Sequence, residues 1–572
     1  MLPSQEIRSI APEMDPLRIG MGWSVADLSK AQIIVESTFG DSHPGSAHLD
    51  ALTRATSSSV SQAGGKAARY FVTDICDGMA QGHDGINYSL AQRDMIANMI
   101  EIHCKATTFD GGVFIASCDK GLPAHLMAIG RVDIPSVVVT GGVMNAGPDL
   151  LTLEMLGGYS AMYKRGEITQ SQLDFYKHNA CPSCGACGFM GTACTMQVMA
   201  ESLGLMLPGT ALLPAASPLL EQAAADAGRA VMHLVDKRLT ARRIVTMDSF
   251  ENAIVIHAAI AGSTNALLHL PAIAHEFGLE IDGETFDRIH RHAAYLLDVR
   301  PSGKWPASLV YEAGGVPRIM MELRDRLHLD ALTVTGRTLG ENLEELERQG
   351  WFERSSPVLE KLGISWKDVI HPRSNPISQN GTLCVLHGNL APGGAVIKHS
   401  AVPREMFHAV LRARPFDCEE DAIAAVIRGD IKPGDAVLIR YEGPKGSGMP
   451  EMFYTTEAIS SHPVLARSIA LITDGRFSGA SRGPAVGHVS PEAFDGGPIA
   501  LVQNGDLIEL DIAARRLAII GIAGERRSEA EIEDILAQRR RSWPPRAPKY
   551  TSGVLKQFTR SAVAPMQGGY MD

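Results

Sequence analysis

No stretch of this chain approaches the ~18 consecutive apolar residues that a membrane-spanning helix needs. Its longest apolar runs, such as Ser136–Thr140 and Leu517–Ile522, have the length of strands. The opening MLPSQEIRSIAPEMDP lacks the charged-then-apolar pattern of a secretory signal. Excess positive charge is also missing. The formal net charge is −11 and the isoelectric point is near 6.0, which argues against a nucleic-acid partner with its phosphates. The one basic stretch, Arg539–Arg541 with Arg546 and Lys549, is short and reads as a solvated helix end. Nine cysteines, an odd number in a 572-residue chain without a signal, argue against a disulfide scaffold. No fixed-period repeat is present, and the glycine-rich Gly388–Val396 fits neither nucleotide-binding fingerprint. What remains is a soluble, cytoplasmic protein with no membrane and no nucleic-acid partner.

At 572 residues the chain is too long for one ordinary core, so two or more domains are expected. From about Ser24 to Glu345, short apolar runs alternate with helical stretches. Gly111–Ala116 and Ile134–Val139 read as buried strands, and Met196–Leu205 and Glu251–His269 as helices with apolar positions at spacings of three and four. Such alternation indicates an α/β domain with a mostly parallel sheet, whose sites lie at the carboxyl ends of strands. Prolines 357, 372 and 376 loosen the pattern between about Gly340 and Gly381. Beyond them, Thr382–Leu386, Ala436–Arg440, Ile469–Thr473 and Leu507–Asp511 are short strands between glycine and proline turns. We therefore expect an N-terminal α/β domain over 1–375 and a smaller β-rich, barrel-like domain over 376–572. The tail after about Ser542 is expected to wrap another surface.

Several polar segments carry chemistry. In Ala116-Ser-Cys-Asp-Lys-Gly121 an apolar run ends in a thiol, a carboxylate and an amine. Thiolate is a soft ligand suited to iron and carboxylate a hard one suited to magnesium, so one strand end can serve both; a buried cysteine beside an ion pair is the plain alternative. Cys181, Cys184 and Cys187 follow at steps of three among Gly185, Gly188 and Gly191, leading into a helix. That pattern favours an iron–sulfur cluster over zinc, whose closed sites usually take four ligands in two separated pairs. Asp74–Asn87 is dense in carboxylates and glycines; Asp77 is a candidate magnesium ligand and His83 a candidate substrate contact, although Asp-Gly is also an ordinary turn. In the second half, Glu442–Glu451 is a glycine loop ending in a carboxylate. Thr473–Arg482 presents Ser478 between Gly475 and Gly479, without the Gly-x-Ser-x-Gly pattern of a hydrolase.

Together these segments resemble the dihydroxy-acid dehydratase/6-phosphogluconate dehydratase family, over roughly Gly40 to Ala493. The carrying motifs are GDSHPGSAHLD (40–50), CDGMAQGHDGINYSL (76–90), ASCDKGLPA (116–124), CPSCGACGFMGTA (181–193), AGSTNALLHL (261–270), GNLAPGGAVIK (388–398), GPKGSGMPEM (443–452) and ITDGRFSGASRG (472–483). The resemblance implies a hydro-lyase, dimeric or tetrameric, that dehydrates a 2,3-dihydroxy acid to a 2-keto acid. In that chemistry a cluster iron acts as a Lewis acid on the leaving C3 hydroxyl, magnesium holds the C1 carboxylate and C2 hydroxyl, and a serine alkoxide removes the C2 proton. Carried over by position, Cys118 and Cys187 match cluster cysteines, and Asp77, Asp119 and Glu451 match magnesium ligands. Lys120 matches a lysine carbamylated in some members, and Ser478 matches the base.

One departure stands out. Members with a two-iron cluster (2Fe-2S) carry a cysteine in the first motif, where this chain has Ser42-His-Pro-Gly-Ser46. The Cys-Pro-Ser-Cys-Gly-Ala-Cys spacing instead resembles members assigned a four-iron cluster (4Fe-4S), with Cys184 as third ligand and Cys181 in reserve. As to substrate, ASCDKGLPA and the segment around AGSTNALLHL resemble the sugar-acid members, so the sequence leans toward an unphosphorylated sugar acid or short dihydroxy acid. The branched-chain precursor 2,3-dihydroxyisovalerate is the alternative. A thiol–disulfide oxidoreductase using Cys181 and Cys184 would leave Cys118, Asp119 and Lys120 without a role. A non-catalytic binding protein using the glycine loops would tolerate loss of Ser478 and of metal.

Overall fold

The structure is a computed structural model that describes residues 1–479, 481 and 483–572; Ala480 and Arg482 of the serine motif lie outside the described residues. The first half is built on four parallel strands: β1 (Gln32–Ser37), β2 (Lys66–Phe71), β3 (Gly111–Ala116) and β4 (Ser136–Thr140), in the order β2-β1-β3-β4. β1, β3 and β4 are buried along their whole length, as unbroken runs such as Ile33-Ile34-Val35 require when helices cover both faces. β2 is the edge and is mostly half-buried or exposed, with Ala68 its one buried residue and Lys66 and Arg69 in ion pairs.

The covering helices include α1 (Leu49–Gln62), α2 (Tyr88–Thr107), α3 (Gly121–Val132), α4 (Thr192–Ser202), α5 (Pro218–Lys237), α6 (Met247–Ala259) and α7 (Ala266–Phe277). The apolar spacing over Glu251–His269 predicts one helix, but the chain divides it. α6 ends, Ala261 takes φ +49°, and α7 begins six residues after Ile260. The break has a physical cause. Gly262 lies so close to the His257 ring that any Cβ there would collide with it, and the freed segment turns Ser263 and Asn265 toward the site.

The second half is a nine-stranded mixed sheet. Its strands are β5 (Leu383–Leu386), β6 (Ala395–Lys398), β7 (His408–Phe416), β8 (Asp435–Ile439), β9 (Ala470–Thr473), β10 (Ala485–Gly487), β11 (Leu507–Asp511), β12 (Arg516–Ile522) and β13 (Glu525–Arg526). The order is β13-β12-β11-β7-β8-β9-β10-β6-β5, with β7, β8 and β9 parallel. His387, just after β5, bonds across to Arg515 and Leu517, so the sheet curls until its two ends meet. The architecture is thus an α/β region with a parallel sheet followed by a curled β-rich region. The glycine turn Gly388–Val396 serves this closure: a Cβ on Gly388 would strike the Leu517 carbonyl.

The first half has one large apolar core, and the curled sheet packs separate ones on its faces. A small fourth core joins the halves, combining Leu90 of α2, Leu268 of α7, Met449, and Leu555 and Phe558 of α8 (Gly553–Ser561). The tail therefore wraps back over the first half. There the fully buried Arg93 clamps it by donating to the Gly568 and Gly569 carbonyls. Among the described residues, no helix is long and apolar enough to cross a membrane.

Candidate active site

The carboxyl ends of parallel strands from both sheets deliver the polar segments. The turn after β1 carries His43, the segment after β2 carries Asp74, Cys76 and Asp77, and the turn after β3 carries Cys118, Asp119 and Lys120. From the second sheet, the loop after β8 carries Glu451 and the turn after β9 carries Arg476 and Ser478. A short parallel bridge between Glu451 and Arg476 ties those two loops together.

Asp77, Asp119 and Glu451 each bring a carboxylate oxygen to a point where all three lie within 4.8 Å of one another. Around them is a deeply buried charged network. Lys120 is fully buried and donates to Asp77 Oδ2 at 2.8 Å. Ser89 donates to Asp77 Oδ1 at 2.6 Å. Arg476, also fully buried, donates to Glu451 Oε1 at 2.6 Å, to Ser89 Oγ at 2.9 Å and to the Met449 carbonyl at 2.7 Å. Asn265 adds a 3.0 Å bond to Glu451 Oε1 and Gln81 a 3.2 Å bond to Oε2. Burying charges in this way is tolerated only when each is paired and hydrogen-bonded; removing one partner of such a pair typically costs about 3–5 kcal/mol.

The electrostatics of the cluster are uneven. Burial pushes the Asp77 carboxyl up, but the charges of Lys120 and Arg476 and their hydrogen bonds more than offset it and hold Asp77 below the usual range. Asp119 keeps slight surface exposure but lies deep under protein atoms. That burial, opposed by Lys120 and reinforced by the neighbouring Asp77 and Glu451, pushes it up to about 8. Hard oxygen donors converging in this way fit a divalent cation such as magnesium. The Asn265 side-chain oxygen is buried and has no hydrogen-bond partner among the described residues, while its amide nitrogen is held on Glu451.

Beside the carboxylates is a sulfur-bearing cluster. His43, Cys76 and Cys118 have ligand atoms mutually within 4.8 Å. The Cys76 and Cys118 thiols are hydrogen-bonded to each other. That bond, ahead of burial, raises Cys118 well above the ordinary thiol value and lowers Cys76 to about 6. Cys187 is raised well above the ordinary value by burial, and its charged neighbours are Asp119, Cys76, Cys181 and Cys194. Soft thiols gathered beside hard carboxylates fit an iron–sulfur cluster next to a divalent cation. Cys184, by contrast, packs against the large apolar core, and its upward shift comes from burial opposed by its own backbone.

Ser478 follows the Arg476 bridge. The next residue, Gly479, is pressed against the first turn of α4. A Cβ there would lie 2.8 Å from Gly191 Cα, so only glycine lets the serine turn approach the end of the cysteine loop. His83 does not reach the site: it is exposed and caps its own turn, accepting from the Gly85 amide at 3.0 Å. The residues that motif reading passes over are Arg476, Asn265, Gln81, Ser89, Cys76 and His43. Arg476 and Cys76 stand inside motifs singled out for other members. Asn265 stands inside the motif AGSTNALLHL, as the last residue of a polar Gly-Ser-Thr-Asn run between apolar stretches.

Fold and site together describe an α/β-plus-β enzyme scaffold whose parallel-strand ends pool thiols and carboxylates. The chain belongs to the dihydroxy-acid/6-phosphogluconate dehydratase family: the family's N-terminal domain matches residues 30–342 and its C-terminal domain residues 368–569. Among curated relatives, it is 43% identical over 562 residues to dihydroxy-acid dehydratase 1 of Methanosarcina acetivorans, covering 96% of each chain. It is 42% identical over 575 residues to the dihydroxy-acid dehydratase of Methanosarcina barkeri, covering 98% of each. It is 40% identical over 557 residues to that of Ruminiclostridium cellulolyticum, covering 96% of each.

Proposed function

We propose that this chain is a hydro-lyase that removes water from a 2,3-dihydroxy carboxylic acid to give a 2-keto acid, using an iron–sulfur cluster and magnesium. The observation that carries this reading is the meeting of Asp77, Asp119 and Glu451, from three distant segments and both sheets, directly beside the Cys118 thiol. Cys118 and Cys187 would hold the cluster and the three carboxylates the cation. When bound, these groups supply Lewis acidity toward the substrate's hydroxyl and carboxylate oxygens.

The chain's own groups do the rest. Ser478, once deprotonated, takes the C2 proton as hydroxide leaves C3. The proton and hydroxide depart together as water, and the enol tautomerises to the 2-keto acid. Arg476 and Asn265 fix the orientation of Glu451, and Ser89 that of Asp77. Lys120, as an ammonium, pairs with Asp77 and cannot ligate a cation; carbamylation of Nζ would convert it into an oxygen donor at the same place. Burial of the network excludes water that would otherwise weaken these interactions.

The relatives' names favour 2,3-dihydroxyisovalerate over the sugar acids toward which the sequence leans. Lys120 and Arg476 are committed to carboxylates, leaving neither for a substrate phosphate, which supports an unphosphorylated acid. We place the enzyme in the cytoplasm, consistent with nine cysteines free of disulfides, as a homodimer or homotetramer. The test is a 2-keto-acid assay on anaerobically reconstituted protein with magnesium, across dihydroxyisovalerate, xylonate, arabinonate, gluconate and glycerate. The expected result is the highest kcat/KM on dihydroxyisovalerate. Turnover confined to the aldonates would move the substrate to the sugar acids, and a fully reconstituted protein inert on every acid would overturn the reading.

A further inference from the structure

The cysteine loop offers Cys184 as the obvious third sulfur for a cluster held by Cys118 and Cys187, but the folded chain puts a different thiol there. Cys76 comes from the segment after β2, across β1 from the strand that carries Cys118, and its sulfur lies within 4.8 Å of both the Cys118 sulfur and a His43 ring nitrogen. The glycine-bearing first turn closes on the same point. A Cβ added to Gly45 would sit 3.4 Å from Cys118 Cβ and 3.1 Å from His43 Nδ1. The first turn therefore packs closely against Cys118 and the His43 ring, and glycine at position 45 is what permits that approach.

His43 adds an independent observation. It is only 4% exposed, and its Nε2 faces Asp74 Oδ1 at 3.0 Å and Ser46 Oγ at 3.1 Å. Ser46 also bonds Asp74, so the ring is held from one side. Its other nitrogen, Nδ1, is buried, has no hydrogen-bond partner among the described residues, and lies on the side of Gly45, whose turn approaches Cys118. An imidazole fixed through one nitrogen by a carboxylate, with the second left bare, is the arrangement that orients a ring toward a metal centre.

We propose that Cys76, rather than Cys184, supplies the third thiolate of the cluster held by Cys118 and Cys187, beside the ring of His43. This rests on the iron–sulfur reading above. The same short segment would then serve both metals: Cys76 the cluster and the adjacent Asp77 the cation.

The experiment is anaerobic reconstitution of the full chain and of Cys76→Ala, Cys181→Ala, Cys184→Ala and Cys118→Ala. Iron and sulfide per chain are measured with the visible absorption and the electron paramagnetic resonance spectrum of the reduced protein. The expected result is a tenfold or greater loss of iron and sulfide in Cys76→Ala, matching Cys118→Ala, with wild-type content and spectrum in Cys184→Ala and Cys181→Ala. Retention of the wild-type cluster in Cys76→Ala overturns the proposal. To separate ligation from misfolding, the reconstituted wild-type protein is alkylated and mapped by mass spectrometry. Cys76 should be protected relative to the metal-free chain while Cys184 is modified equally in both, and the reverse pattern overturns the proposal. A wild-type chain that takes up no iron and sulfide would instead defeat the functional reading itself.

Discussion

The carboxylate cluster and the thiol cluster sit side by side, yet they are put together differently. Asp77, Asp119 and Glu451 are drawn from three segments, Glu451 from the second sheet and more than three hundred residues after Asp119, and the fold converges them through hydrogen bonds from Lys120, Arg476, Asn265, Gln81 and Ser89. The thiols invite a local reading because three stand at regular steps in one loop. The fold ignores that regularity, pairing Cys118 with Cys76 and leaving Cys184 against the apolar core. Spacing in sequence is a good guide to a site when one loop wraps the whole ligand. It is a poor guide when the ligand sits at the meeting of several strand ends, because the partner is then chosen by sheet order.

The sharpest way to break the comparison is to remove the sulfur that both readings share. Cys118→Ser should abolish the visible absorption of the reconstituted protein and its turnover together; a colourless variant that still makes keto acid would sink the cluster mechanism. Next in size, Ser478→Ala should lower kcat by roughly 10²–10⁴-fold, the usual range for loss of a general base. Iron, sulfide and magnesium binding should stay at wild-type values. A parallel loss of metal would show that the serine turn organises the site rather than acting on substrate.

A smaller effect probes the carboxylate side alone. Asn265 donates to Glu451 Oε1 at 3.0 Å without being a cation ligand in this scheme. Asn265→Ala should weaken divalent-cation affinity by about 10–100-fold, the usual effect of losing a residue that orients a ligand. Isothermal titration should record this with cluster content unchanged.

The smallest effect concerns the brace beneath the second-half loops. Glu492 accepts the Lys445 and Gly446 amides, and Glu442 accepts from Ser447. Burial pushes both carboxyls from the ordinary 4.5 up to about 8. Between those values the folded chain keeps protons that the unfolded chain has released, so stability falls as pH rises through that window. The unfolding temperature of metal-free protein should therefore decline from pH 5 to 9. Glu442→Gln, which cannot ionise, should flatten that slope; an unchanged slope would remove Glu442 from the account.

Much of this was legible in the sequence. Continuous apolar runs such as Gly111–Ala116 announce buried parallel strands, and the polar residues that follow them fall at strand ends, so Cys118 and Asp119 are placed by pattern alone. Asp77 is also visible, although an Asp-Gly pair reads equally well as a turn. What the sequence hides is pairing across the fold. Nothing in the one-dimensional pattern says that β2 lies beside β1 and β1 beside β3, which is what seats Cys76 against Cys118. Nor does it say that Arg476, two residues before Ser478, reaches both Ser89 and Glu451. The break between α6 and α7 hides for another reason: the flanking apolar spacing is helical throughout, while the chain turns at Ala261 with Gly262 packed against the His257 ring of the preceding helix.

The central claim is that the three convergent carboxylates hold a divalent cation beside a thiolate-bound cluster. Its most direct test is a titration of the reconstituted protein with Mn²⁺, a paramagnetic stand-in for magnesium, followed by electron paramagnetic resonance. The account predicts one tight Mn²⁺ per chain, perturbed when the cluster is reduced and lost in Asp119→Asn and Glu451→Gln. A chain that binds no stoichiometric Mn²⁺, or binds it undiminished in those variants, would contradict it.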